Sequence, residues 1–200
     1  MKLEHKNLKN NLQQILAGVY APAQLNEFLP ELIERIAKFD SVNNKKLWVD
    51  QNDIMLITYG DSIQKENEVP MRTLRNFLSR NVKDYISAVH ILPCFPYTSD
   101  DGFSVVDYWK INPELGDWND VNALSQDFDL MFDGVINHIS KSSDWFKSYL
   151  AGDEEYKNFF VEALPDRDYS SVTRPRALPL LTTFETAHGQ KHIWTTFSED

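Results

Sequence analysis

The stretch FDGVINHIS, Phe132 to Ser140, places Asp133, Asn137 and His138 around the end of one short apolar run. A core strand has no use for a carboxylate, an amide and an imidazole, whereas a site at a strand end does. A second polar cluster, SDDGFSVVDY, runs from Ser99 to Tyr108. Carboxylates and amides hydrogen-bond hydroxyl groups, and a ring such as Phe103 packs on the apolar face of a sugar. Each member also has a plainer reading. Asp100, Asp101 and Gly102 make a surface turn, with Gly102 at positive φ. His138 suits a partly buried, satisfied histidine, and Asn137 a strand-end cap. Asp133, Asn137 and His138 are also donors that a metal accepts, although their spacing matches no zinc or EF-hand signature. The combination is more informative than any one residue.

These clusters need elements to carry them. Ile54–Tyr59, Ile86–Leu92 and Leu130–Ile136 are short apolar runs, each suited to a buried strand. Val69–Arg80 has helical spacing, with Pro70 allowed in the first turn. Asn119–Gln126 is a second helix, with Asp117 or Asn119 as its N-cap. Strand, helix, strand, helix, strand predicts an α/β fold with a parallel sheet. Near-continuous apolar strands imply that helices or further structure cover both sheet faces. In such folds ligands gather at the C-terminal ends of the strands, where both polar clusters fall.

Ahead of this region lie two helical patterns separated by Pro22. One presents Leu8, Leu12, Ile15, Leu16 and Val19 on a face. The other presents Leu25, Phe28, Leu29, Leu32, Ile33, Ile36 and Phe39. They predict a helical hairpin packed on the rest. After His138 the alternation stops and an aromatic-rich segment follows (WFKSYL, EYKNFF), then SSVTRPRALPLLTTF and KHIWTTFSED. The expected divisions are 1–50, a helical extension; 51–138, strands and helices; and 139–200, a separate inserted unit.

The 200 residues carry a formal charge of −10 and 42% hydrophobic residues, enough for a core. That charge repels nucleic-acid backbones and anionic membranes. Cys94 is the single cysteine, so no disulfide forms within the chain. Only seven glycines occur, and no Gly-rich phosphate loop is present. The amino-terminal residues lack the apolar stretch of a signal peptide, and no run spans a bilayer. A cytoplasmic location is expected.

FDGVINHIS resembles the first conserved region of the α-amylase superfamily, in which Asp, three residues, Asn and His close the third strand of a (β/α)8 barrel. VHILPCFPYTSDDGFSVVDYWKINPELGDWNDV is similar to the second strand and following loop of the sucrose-phosphorylase-like sugar phosphorylases. SSVTRPRALPLLTTF and HIWTTFSED resemble the inserted domain B of the same group. The resemblance covers about residues 53 to 200, and the helical extension with RPRALPLLTTF points to the glucosylglycerate phosphorylase branch. It implies the amino-terminal portion of a TIM barrel and retaining transfer of a glucosyl unit to phosphate. The implied donor is sucrose, sucrose 6-phosphate or glucosylglycerate.

The same resemblance assigns roles. Asp100 and His138 would bind glucosyl hydroxyls, with Phe103 and Phe197 as apolar platforms. Arg176 would meet phosphate or the acceptor, since a guanidinium offers a fixed fork of donors. Without the resemblance, Arg174 and Arg176 suit a surface salt-bridge pair. Asp133 would orient a barrel arginine, and Asn137 would stand beside it. No metal and no cofactor are implied. The family's nucleophile Asp and acid/base Glu sit about 5–5.5 Å apart. Neither motif occurs here, and both are expected beyond residue 200. A whole barrel takes about 250 residues. The expectation is therefore an amino-terminal fragment of a longer phosphorylase, inactive alone. A hydrolase or transglucosylase of the same superfamily, or a non-catalytic remnant that binds sugar or a partner, are the competing readings.

Overall fold

The computed structural model describes residues 5–40, 49–173 and 179–195. It divides into two compact units, residues 1–49 and 50–200.

The first unit holds α1 (His5–Leu16) and α2 (Pro22–Asp40). Leu25 and Leu29, one turn apart on α2, are buried, the only such residues among those described in this unit, and Tyr20 meets Phe28 edge-on at 4.8 Å. Helix α1 stops at Leu16, so the expected apolar face is shorter than its periodicity suggested. Ile15 and Val19 are exposed.

The second unit opens with β1 (Met55–Thr58), α3 (Pro70–Asn81), β2 (Ala88–Ile91), α4 (Trp118–Ser125) and β3 (Asp129–Phe132). The strands lie in the order β1-β2-β3 and every pair is parallel, as the alternation predicts. Pro70 occupies the first turn of α3, where its missing N–H is no loss. Asp117 caps α4, accepting from the backbone N–H of Asn119 and Asp120, while Asp120 returns a bond to the Asp117 N–H in a full capping box. Arg72 of α3 donates to Asp120 at 2.9 Å and so ties the two helices together. Asp127, just past α4, accepts from Lys83, Ser79 and Arg75. Those donors draw its carboxyl down to about 2.

The third strand is shorter than Leu130–Ile136. It ends at Phe132, opposite Ile91 of β2. Leu92 N–H bonds back to Thr58 on the β1 side, so the next N–H toward β3 belongs to position 93, a proline. Proline has no donor, and the ladder stops. Ile136 consequently lies in a loop and is 93% exposed.

The two faces of the sheet differ in coverage. One face packs on α3 and α4, burying Val89 and Ile91 with Met71, Leu74, Leu78, Val121 and Leu124. The opposite face, carrying Met55, Ile57 and Met131, is exposed among the described residues.

Beyond β3 come α5 (Asp144–Leu150) and an antiparallel hairpin, β4 (Leu181–Thr186) with β5 (Gly189–Trp194). Phe146, Tyr149 and Ile193 form a second core with Phe160 and Phe184 around them. Phe146 meets both of those rings edge-on at 4.9 Å, the geometry favoured by ring quadrupoles.

Candidate functional site

The loop after β2 turns back on itself and locks. Tyr97 pairs with Val105, Val106 N–H donates to Pro96 O, and Asn112 N–H donates to Cys94 O. The tip is held in an unusual conformation, with φ of 60° at Asp100, 50° at Asp101 and 100° at Gly102. Left-handed backbone at two consecutive aspartates is costly and survives only where surroundings enforce it. Gly102 is required there. A Cβ at that position would stand 2.7 Å from Pro93 O.

The loop after β3 is fixed to this tip. His138 Nε2 lies 2.9 Å from Phe103 O. A carbonyl only accepts, so Nε2 carries the proton. Tyr108 Oη stands 2.5 Å from Val135 O and 3.0 Å from His138 O, so its single proton is shared between two carbonyls of that loop. Burial pushes the Tyr108 phenol up and keeps it a donor. Ser140, fully buried, completes the joint: its N–H donates to Val105 O, and its hydroxyl pairs with Thr98 Oγ1 at 2.8 Å.

Between these loops and the aromatic core lies a cavity of about 850 Å³. Asp100, Asn137 and His138 line it on the strand-end side. Trp145 and Phe159 form much of the aromatic side, and Tyr108, bonded to the strand-end loop, meets it, with Trp145 5.5 Å from Tyr108 and 5.7 Å from Phe159. The arrangement can surround a ligand of sugar size with hydroxyl partners on one side and ring faces on the other.

The structure separates residues that the sequence grouped. Asp133 does not line the cavity with Asn137 and His138. It follows Phe132 by one position and so faces the open side of the sheet, where its Oδ2 meets His90 Nε2 at 3.0 Å. His90 sits opposite Met131 in the register, two residues before Asp133, which explains the meeting. Burial, with a smaller contribution from the Asp133 carboxylate, raises the thiol of Cys94 to about 11. The Phe103 ring is not part of the cavity lining; its carbonyl is what serves the site. Arg176 and Phe197 lie outside the described residues, as does Arg174.

Sequence reasoning passed over His90 and Trp145, and took Tyr108 only as the end of a polar cluster. The alternation of β2 placed His90 opposite its apolar neighbours, a legible signal. Nothing local marked the Tyr108 hydroxyl, whose partners lie 27 and 30 residues away.

Residues 83–196 match the family model described as alpha amylase, catalytic domain. The chain is 48% identical over 185 residues to a glucosylglycerate phosphorylase of Allomeiothermus silvanus, a match covering 92% of this chain and 32% of that protein. It is 35% identical to a sucrose phosphorylase of Streptococcus mutans, over 74% of this chain and 32% of the relative. Among solved structures, the sucrose 6F-phosphate phosphorylase of Thermoanaerobacter thermosaccharolyticum superposes with a TM-score of 0.66 at 30% identity, covering 77% of this chain and 33% of that one. The chain thus spans about a third of the length of the relatives it matches. Its three parallel strands with their two helices are the corresponding part of an α/β barrel, and the chain belongs to the alpha-amylase catalytic domain family.

Proposed function

We propose that the full-length protein is a retaining α-glucoside phosphorylase, and that glucosylglycerate is its donor. The observation that carries this reading is the cavity uniting both polar strand-end clusters, in a chain 48% identical to a glucosylglycerate phosphorylase. Sucrose and sucrose 6-phosphate are the alternative donors, in keeping with the more distant relatives.

In the proposed reaction an enzyme carboxylate attacks the anomeric carbon as the glycosidic C–O bond breaks, and an acid protonates the leaving oxygen. Phosphate oxygen then displaces the carboxylate, giving glucose 1-phosphate. We assign both carboxylates to residues beyond Asp200. Within the described residues, Asp100 and His138 would grip the glucosyl unit in both steps. Phe103 would hold the His138 ring through its carbonyl. Arg176 would meet phosphate and Phe197 would flank the sugar. Asp133, held by His90, would orient a neighbouring barrel side chain, with Asn137 at the cavity wall. Residues 51–138 would serve as barrel and 139–200 as inserted domain. The ligands are then small sugars and inorganic phosphate. Among the described residues no helix is long and apolar enough to cross a membrane.

The test is phosphate-dependent release of glucose 1-phosphate from glucosylglycerate by the full-length protein, with sucrose alongside. Arg176→Ala should weaken phosphate use about tenfold or more, the worth of a charged hydrogen bond. Release of the leaving group in the absence of phosphate should change less. Equal losses in both would make Arg176 structural. Glucose without glucose 1-phosphate as product would mark a hydrolase.

A further inference from the structure

The cavity holds a cation to which the family resemblance gave no role. Among the described residues that line it, Lys141 is the one lysine or arginine, and Asp100 is the one carboxylate. Lys141 is also not mounted on a loose loop. Ser140 before it and Ser143 after it are both fully buried. Ser140 is bonded to Val105 and Thr98 as described above, and its hydroxyl also accepts from Ser142 N–H at 3.1 Å. Ser143 N–H donates to Ser140 O at 3.0 Å, and the Ser143 hydroxyl caps α5 by accepting from Phe146 N–H. A lysine side chain is a mobile point charge, but here its backbone is pinned between the polar strand-end loops and the aromatic core.

A neutral sugar needs no such group. An anionic acceptor does. It must approach a cavity that carries the Asp100 carboxylate, in a chain of net charge −10, and an uncompensated carboxylate would be repelled and poorly solvated there. We infer that Lys141 is a specificity-determining residue that receives the carboxylate of a short hydroxy acid in the acceptor subsite. This rests on the phosphorylase reading above and deepens it, since glycerate is such an acid. The ammonium distinguishes glycerate from glycerol, which matches it in size and hydroxyl pattern but carries no charge. Asp100 and His138 act on the glucosyl unit and are indifferent to that difference.

The test runs the full-length protein in the synthetic direction, with glucose 1-phosphate as donor and phosphate release as the readout. Three conditions are compared: glycerate, glycerol, and no acceptor, in which water takes the glucosyl unit. Lys141→Met should raise the KM for glycerate about tenfold to a hundredfold, the range of a charge-assisted hydrogen bond. The glycerol and water reactions should stay within about twofold, which also shows that the variant is folded. Lys141→Arg should recover most of the loss, because the charge is retained. The inference is overturned if Lys141→Met lowers all three reactions together, since the lysine then serves the phosphate of the donor or the fold. It is equally overturned if glycerate use is untouched, or if the wild type prefers glycerol or fructose to glycerate. A wild type that releases phosphate under no condition defeats the phosphorylase reading itself, and this inference with it.

Discussion

The two walls of the cavity are built by different physics. The strand-end wall is held by directional bonds: His138 to Phe103, Tyr108 to two carbonyls, Ser140 to Val105 and Thr98, and a left-handed tip that requires Gly102. The opposite wall is held by area. Phe146, Phe160, Phe184 and Tyr149 pack ring against ring, and its stability comes from buried apolar surface. A hydrogen bond adds about 1 kcal/mol net but fixes an atom's position, whereas a buried ring adds several kcal/mol and fixes little beyond proximity. The side chains proposed to grip the sugar, Asp100 and His138, stand on the first wall, and the second supplies mass and shelter.

Three substitutions in the full-length protein can break or sharpen this contrast. Phe146→Ala should have the largest effect on stability, a loss of about 3–5 kcal/mol in denaturant unfolding, because it opens a void among three rings. At a temperature where the variant stays folded, its turnover should fall modestly. Gly102→Ala comes next. A Cβ at φ 100°, 2.7 Å from Pro93 O, should cost about 1–3 kcal/mol of stability. Its effect on the proposed glucosyl transfer should be out of proportion to that loss, because Asp100 moves with the tip. Tyr108→Phe is the mildest. It keeps the ring against Trp145 and removes only the hydroxyl, at about 1 kcal/mol. Transfer should slow several-fold through displacement of the His138 loop while the melting temperature changes by a few degrees. If Phe146→Ala abolished transfer without loss of stability, or if Tyr108→Phe were as destabilising as Phe146→Ala, the division between the walls would be wrong.

Much of the barrel portion was legible in one dimension. The apolar runs, Pro70 in a first turn and Asp117 ahead of a helical pattern are local signals, and each element formed within a few residues of its expected place. Ends were less legible. The third strand was expected to reach Ile136, yet its length is set by Pro93, just past the end of the neighbouring strand, which local pattern along β3 does not reveal. Apolarity of a strand likewise does not say which structure covers each face; α3 and α4 cover the face of Val89 and Ile91.

For the site, residue types and spacing by themselves determined that a carboxylate, an amide and an imidazole stand at strand ends, and that Gly102 takes a positive φ. That much follows from short-range sterics and from the alternation of strand and helix. Only the tertiary structure decided which of those groups share a cavity. Asp133 turns to His90 on the open sheet face, while Asn137 and His138, four and five residues later, join Asp100 from another loop. The tie between the loops, Tyr108 to the carbonyls of Val135 and His138, closes across about thirty residues. A hydrogen bond depends on distance and angle in space, and those are fixed by the parallel register of β2 and β3 rather than by any spacing along the chain.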